Sequence, residues 1–456
     1  MGSFSSDQYL LNNRKIVKLP TLVIPAGETR NGLYFLSNLD LIVPVTFSTV
    51  YYIKSSTSSF VETIKDSLAN ILVYYYPFAG RLIIDEDGKL VISCTGEGAV
   101  FVEAEADCYM DEIGDFESSN PKTLPKLVYE STDAKNILEV PPLAVQVTRF
   151  KCGGFVLGVS VNHCIVDGQA LLEFLNSWGE LARGVALTIP PFLDRTLLKA
   201  RKPTKVEFIH SEYKEIAEIS KKTTNLVQEE EFVFKSFVFD SVRLKEFKTK
   251  AMEDGVLETC STFEALAAYI WRARSQALKL HPDQIMKLYF AVDGRDRFDP
   301  PLPKGYFGNG VMFMSSLCSA GKLLENPLSY SVQLVQNSIK SVTDSYIRSS
   351  IDCYEETRSR ASLSATFLVS TWCKLSFHTV DFGWGEPVSM GPVPLRGLDL
   401  FLPHGEDRKG INVLLGLPSS AMKTFEKLMQ INIQSMEYGL IDPFYLQKDT
   451  TCVLMP

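Results

Sequence analysis

The chain has 456 residues, of which 45% are hydrophobic and 22% charged, and its formal net charge is −8. That length accommodates about two to three domain-sized units, and the acidic balance argues against nucleic acid or an anionic membrane surface as the main partner. The nine cysteines are scattered without a C-x-x-C pair, a pattern of reduced cytosolic thiols rather than of a disulfide framework.

The opening "MGSFSS" fits the loose N-myristoylation pattern at Gly2 and Ser6, although an ordinary polar start explains it equally. No secretory signal is seen, and no run reaches the ~18 apolar residues of a membrane span. A cytoplasmic, monomeric protein is the expectation. "SSFVETIKDSLANIL" predicts a helix with Phe60, Ile64, Leu68 and Ile71 on one face. Ser59 and Glu62 have capping-box spacing at its start. "KLVISCTGEGAVFVEAEAD" predicts a hairpin of two strands around the turn "TGEG". "LAVQVTRFKCGGFVLGVSVNH" predicts a hairpin turning at Gly153 and Gly154. "DGQALLEFLNSWGELARG" predicts a helix with Leu171, Leu172, Leu175, Trp178 and Leu181 inward and Gly184 as its stop.

Beyond Gly184 the periodicity lapses, and residues 186–225 read as a crossover linker between an N-terminal unit, 1–185, and a C-terminal unit, 226–456. In the latter, "EFVFKSFVFD" and "INVLLGLP" predict strands. "STFEALAAYIWRARSQAL" predicts a helix with a capping box from Ser261 to Glu264.

His163 stands at the end of a strand whose alternate residues Phe155, Leu157, Val159 and Val161 share its face. A core histidine satisfied by the backbone is the plain reading. A metal site finds no support, because the five histidines lack ligand spacing. Cys164 points to the opposite face, and neither a G-x-S-x-G elbow nor a P-loop is present. "GEGAVF" lacks the last glycine of a dinucleotide fingerprint. A lone imidazole without a nucleophile of its own suits general-base catalysis on a bound hydroxyl or amine, since its ordinary pKa is about 6.5. Asp167, four residues on, either orients the ring or folds away to pair with an arginine.

"HCIVDG" fits an H-x-x-x-D-G motif, and "DFGWG" follows at 381–385. Together with "YYPFAGRL", "TFEALAAYIWRAR", "AVDGRDRF" and "KGYFGNG" in this order, they make the chain resemble the plant BAHD acyl-CoA-dependent acyltransferases along nearly its whole length. The resemblance implies an α/β, two-domain fold like chloramphenicol acetyltransferase, with mixed sheets, flanking helices and an interdomain solvent tunnel. Acyl-CoA and acceptor would meet there at His163, so the strand's apolar face need not be a closed core. It also implies direct acyl transfer without an acyl-enzyme, with acyl-CoA as co-substrate and no metal or other cofactor. Asp167 would turn from the histidine and pair with Arg295, while Gly168, Asp381, Gly383 and Gly385 would be structural. Trp372 would supply an N–H to the tetrahedral oxyanion, with a packed tryptophan as the plain alternative. Ser370 would lie near the acceptor. Ser261 and Thr262 would lie near CoA, where a simple helix N-cap explains them as well.

"LSFHTVDFGWGEPVSMGPVPL", with Glu386, and "CTGEGAVFVEAEAD" most resemble enzymes that transfer feruloyl or caffeoyl groups to fatty alcohols or ω-hydroxy fatty acids. An amine acceptor is the main alternative, because Asp352, Glu355 and Glu356 offer carboxylates to a polyamine. An arginine handle for an acidic acceptor is not clear, Arg358 and Arg360 standing out of register. Non-ribosomal condensation domains share H-x-x-x-D-G but carry two adjacent histidines, and here Asn162 precedes His163. A catalytically silent acyl-CoA-binding protein is the alternative from another class.

Overall fold

A computed structural model describes residues 15–16, 19–54, 59–113, 123–216, 230–359 and 365–430. Gly2, Ser6 and Arg360 lie outside the described residues. Two mixed sheets form the frame. In the seven-stranded first sheet, Ala99–Glu105 lies parallel to Leu143–Arg149, which runs antiparallel to Phe155–Asn162. Thr46–Ile53 follows, and Ser389–Pro392 closes that edge. Lys15–Ile16 and Thr21–Val23 both pair with Ala99–Glu105 at the other edge. The six-stranded second sheet runs in the order Phe232–Phe239, Gly410–Pro418, Asp399–His404, Thr366–Thr371, Ile285–Asp293, Val311–Ser319. The sheets thus divide between the halves of the sequence, except that Ser389–Pro392 crosses from the 226–456 segment into the first sheet.

Local sequence accounts for the elements that position His163. The hairpin Leu143–Arg149 to Phe155–Asn162 turns with Gly153 at φ +83°, a left-handed conformation that a glycine adopts without steric cost. The helix Phe60–Tyr74 buries Phe60, Ile64, Leu68 and Ile71, the face that the 3.6-residue period selects. It packs beside the helix Gly168–Ala182, where Trp178 Nε1 donates to Ser67 Oγ at 2.9 Å. Both helices cover the first sheet, in one apolar cluster with Phe155, Leu157, Val159 and Val161.

Two local expectations change. Ser59 makes no side-chain cap, because its backbone (ψ 11°) is not extended, whereas Ser261 and Glu264 form the full capping box of the helix Thr262–Ala277. The strands flanking "TGEG", Leu90–Cys94 and Ala99–Glu105, are present but do not pair. Leu90–Cys94 joins a three-stranded sheet with Gly32–Tyr34 and Arg81–Ile84. At Gly98 (φ +100°) the chain changes sheets, and a β-carbon there would sit 2.3 Å from the Val23 carbonyl oxygen.

The described part of the crossover, residues 186–216, has no long element, only short turns such as Arg195–Leu198 and Ser211–Tyr213. It is nevertheless bound to the second half. Phe192 bridges to Tyr306, and Asp352 accepts from the backbone N–H groups of Arg201 and Lys205, both at 2.8 Å. Among the described residues, no helix is long and apolar enough to cross a membrane, and the described cysteines are free thiols.

Candidate active site

The strand Phe155–Asn162 ends where Asn162 pairs with Thr46, and the next N–H, that of His163, donates to Val45 O at 2.7 Å. Phe155, Leu157, Val159 and Val161 are completely buried. Their face is therefore a closed core, not the wall of an open channel. The helices Phe60–Tyr74 and Gly168–Ala182 pack in one apolar cluster with that face, and His163, just beyond it, is half-buried. The His163 ring lies 4.8 Å from that of Phe47, tilted by 49°. Its Nδ1 is 3.1 Å from Oδ1 of Asn309. Burial holds the His163 pKa below its ordinary 6.5, against the opposing pull of Asp167, Asn309 and Asp40. The ring is thus neutral at pH 7 and able to accept a proton.

Asp167 caps the helix Gly168–Ala182, its Oδ1 accepting from the Ala170 N–H at 3.0 Å. The same oxygen lies 2.8 Å from Nη2 of Arg295, and Oδ2 accepts from the Gly310 N–H at 2.9 Å. Among the described residues no hydrogen bond joins Asp167 to the His163 ring. Burial alone would raise the Asp167 pKa, but the Arg295 guanidinium and the two amides outweigh it and hold the carboxyl below its ordinary value. Gly310 lets Arg295 lie flat on the loop, since a β-carbon would meet Arg295 side-chain atoms at 2.9 Å.

Trp372 is buried and tilted against Phe377, with ring centroids 5.1 Å apart. Its backbone N–H donates to Phe401 O at 2.8 Å and its carbonyl accepts from Leu375. Leu375 reaches the turn after His163, because a β-carbon on Gly168 would touch its Cδ1 at 2.8 Å. Trp372 and His163 therefore belong to neighbouring loops, although no hydrogen bond joins their side chains among the described residues. Ser370 lies in the strand Thr366–Thr371 opposite Leu400. Ser261 and Thr262 begin the helix Thr262–Ala277, where the Ser261 hydroxyl accepts from the Glu264 N–H at 3.2 Å. The structure does not bring these three to His163 by any hydrogen bond among the described residues. Clefts of about 880 and 510 Å³ lie elsewhere, and His163 lines neither. No group of three or more His, Cys, Asp or Glu that could hold a metal ion occurs among the described residues.

The segment "DFGWG" forms a separate anchor. Asp381 Oδ1 accepts from the N–H groups of Gly383 (2.7 Å) and Gly385 (2.8 Å). Both glycines have positive φ, +105° and +84°, as the tight loop around the carboxylate requires. Phe382 packs edge-on against Trp178 at 5.0 Å, and Trp384 against Phe155 at 5.4 Å. The segment thus pins a loop of the second half to the helix and strand that flank His163.

Sequence reasoning missed Asn309, Asp40 and Arg195. Asn309 lies within "KGYFGNG", which drew notice only as part of a motif, and Asp40 sits far away in "LSNLDL". Asn309 Nδ2 donates to the His163 carbonyl at 2.8 Å and to Asp40 Oδ1 at 2.9 Å. Arg195 and Asp40, both completely buried side chains, form an ion pair at 3.1 Å. The three carboxylates offered to a polyamine are already engaged. Asp352 pairs with Arg201 Nε at 2.6 Å, Glu355 with Lys89 at 2.6 Å, and Glu356 accepts from Thr204 at 2.5 Å. Arg358 pairs with Glu355 at 3.4 Å.

A neutral imidazole at a strand end, with the neighbouring aspartate turned to an arginine, can serve as a general base on a bound hydroxyl or amine. The Transferase family profile matches residues 16–431, and the chain belongs to this family, the BAHD acyl-CoA-dependent acyltransferases. It is 54% identical to omega-hydroxypalmitate O-feruloyl transferase of Arabidopsis thaliana, covering 91% of this chain and 92% of that one. It is also 54% identical to fatty alcohol:caffeoyl-CoA acyltransferase of the same plant, covering 91% and 97%. Vinorine synthase shares the fold at 22% identity, with a TM-score of 0.69 over 90% of this chain and 96% of that one.

Proposed function

We propose that the protein transfers a hydroxycinnamoyl group, feruloyl or caffeoyl, from CoA to the hydroxyl of a long-chain alcohol or ω-hydroxy fatty acid. The observation that carries this reading is 54% identity over 91% of the chain to two enzymes named for those donors and acceptors. In the proposed mechanism, His163 removes the acceptor hydroxyl's proton as the oxygen attacks the thioester carbonyl. The C–S bond then breaks, and the CoA thiolate leaves with the proton returned by His163. The Trp372 indole N–H donates to the transient oxyanion. In this scheme Ser370 serves the acceptor, and Ser261 and Thr262 serve CoA. Asp167, Gly168 and Arg295 hold the turn, and Asp381, Gly383 and Gly385 hold the second loop. The neutral His163 beside Asn309 and Phe47 supports the role of base. No other cofactor enters this scheme, and we place the enzyme in the cytoplasm as a monomer.

The amine alternative loses its main support, because Asp352, Glu355 and Glu356 are engaged within the chain. An acceptor series with feruloyl-CoA tests the assignment. Each methylene buried on the acceptor side is worth about 0.8 kcal/mol, so two more should raise kcat/KM by roughly tenfold until the chain outgrows the site. A flat series with rapid acylation of spermidine would replace this reading by the amine one. Rapid acylation of shikimate would demand an arginine handle. Acyl-CoA binding without turnover of any acceptor would mark a silent binding protein.

A further inference from the structure

We propose that Asn309 is a positioning residue that holds His163 as its Nδ1–H tautomer, and that Asp40 determines which end of the Asn309 amide faces the imidazole. The inference deepens the proposed function and rests on His163 being the base.

The argument begins from donors and acceptors. The Asn309 side chain has one end that only donates and one that only accepts. Its Nδ2 faces two oxygens, Asp40 Oδ1 at 2.9 Å and the His163 carbonyl at 2.8 Å. A carbonyl only accepts, and so does a carboxylate paired with arginine. Turning the amide over would set Oδ1 against both, replacing two hydrogen bonds by two repulsive contacts in a buried place. Oδ1 must therefore face His163 Nδ1, which it meets at 3.1 Å. An acceptor opposite Nδ1 requires the proton there, and this leaves the lone pair on Nε2.

Asp40 is itself held from every side. Oδ2 accepts from the Ser37 N–H at 2.7 Å and the Ser37 hydroxyl at 2.8 Å, and lies 3.1 Å from Arg195. Oδ1 also accepts from the Asn309 N–H at 2.9 Å. Arg195 in turn donates to Phe307 O at 2.8 Å and to Ile165 O. These carbonyls belong to the loop carrying Asn309 and the turn carrying His163. The chain Asp40–Asn309–His163 thus spans both halves of the sequence, with its far end locked before any substrate arrives.

The tautomer can be read directly by nitrogen NMR of the full-length protein labelled at histidine, above pH 7 and without substrate. His163 is assigned by the signal missing from His163→Ala. The wild type should show Nδ1–H. Asn309→Ala should shift His163 toward a mixture of tautomers, and kcat should fall by roughly 10- to 100-fold with KM unchanged. Asp40→Asn keeps the shape and leaves Arg195 its two carbonyls, but offers an amide that can donate. It should also mix the tautomers, with a smaller loss of kcat. An Nε2–H ring in the wild type, or pure Nδ1–H in Asn309→Ala, overturns the proposal. Pure Nδ1–H in a folded Asp40→Asn overturns the part given to Asp40. If Asp40→Asn does not fold, the wild type and Asn309→Ala decide the tautomer alone. Because the tautomer is measured without turnover, this result is separable from a failure of His163 as base, which would appear as full activity in His163→Ala.

Discussion

The two signature segments are built alike around an aspartate and serve different ends. Asp167 accepts from two backbone amides and an arginine, those of Ala170, Gly310 and Arg295. Asp381 accepts from the amides of Gly383 and Gly385, with Arg183 3.8 Å away. The Asp167 side chain is 2% exposed and that of Asp381 33%. The first carboxylate joins a helix start in one half to a loop in the other, under a low local dielectric. The second mostly closes its own loop. The difference predicts that equally conspicuous motifs contribute unequally to stability, with burial and sequence separation setting the scale.

The sharpest break between the regions is expected in turnover. His163→Ala should fold as the wild type does and lose about 10²- to 10⁴-fold in kcat, the usual contribution of a general base. Substitutions in 381–385 that preserve folding should leave kcat nearly intact. Single-turnover measurements with a saturating acceptor would compare the two. Near-wild-type transfer by a folded His163→Ala protein would remove the mechanism.

Next in size is stability. Removing one member of a buried ion pair costs about 3–5 kcal/mol, because the partner is left charged and unpaired. Asp167→Ala and Arg295→Ala should each approach that loss in urea titrations. The double variant should cost less than their sum, and strict additivity would contradict the coupling. Acid should expose the same bond. The folded Asp167 pKa is depressed by Arg295 and the amides, so its contribution is complete above the unfolded value of about 3.9 and is lost as pH falls through the lower folded value. Asp167→Asn should therefore flatten the acid limb of the stability curve.

The activity profile should fall at higher pH than that. Burial lowers the His163 pKa below 6.5, so the base form persists into mildly acidic solution. The kcat/KM profile should be level near pH 7 and decline toward acid with a midpoint below 6.5, the free-enzyme value that this ratio reports. A midpoint above 6.5 would mean that the neighbouring carboxylates outweigh burial.

Much of this comparison was legible in the residues. The hairpin turning at Gly153, the helix after Asp167 and the capping box at Ser261 follow from period and punctuation alone. His163 was legible as a polar residue closing an apolar strand. Asn309 and Asp40 were not, since hydrogen bonds across 146 and 269 residues of sequence leave no local pattern. The closed core behind His163 was misjudged, because alternation shows which residues share a face and not what covers it. The failed pairing around "TGEG" has a similar cause: two strands and a turn describe a hairpin and a sheet change equally well.

The smallest expected effect concerns Asp381 itself. Its two accepted amide bonds resemble a helix cap, whose loss typically costs about 1 kcal/mol. Its one-third exposure lets water replace part of what is removed. Asp381→Ala should thus lower stability by about 1 kcal/mol and leave kcat unchanged. Gly179 provides the control for the anchor as a whole, because a β-carbon there would lie 2.3 Å from the Asp381 carbonyl oxygen. Backbone cannot rotate away as a side chain can, so Gly179→Ala should cost more, about 1–3 kcal/mol, by lifting the loop from its helix. If Asp381→Ala proved as damaging as Asp167→Ala, exposure and sequence separation would not be what distinguishes the two aspartates. If Gly179→Ala were silent, the close approach of loop and helix would not hold the second signature in place.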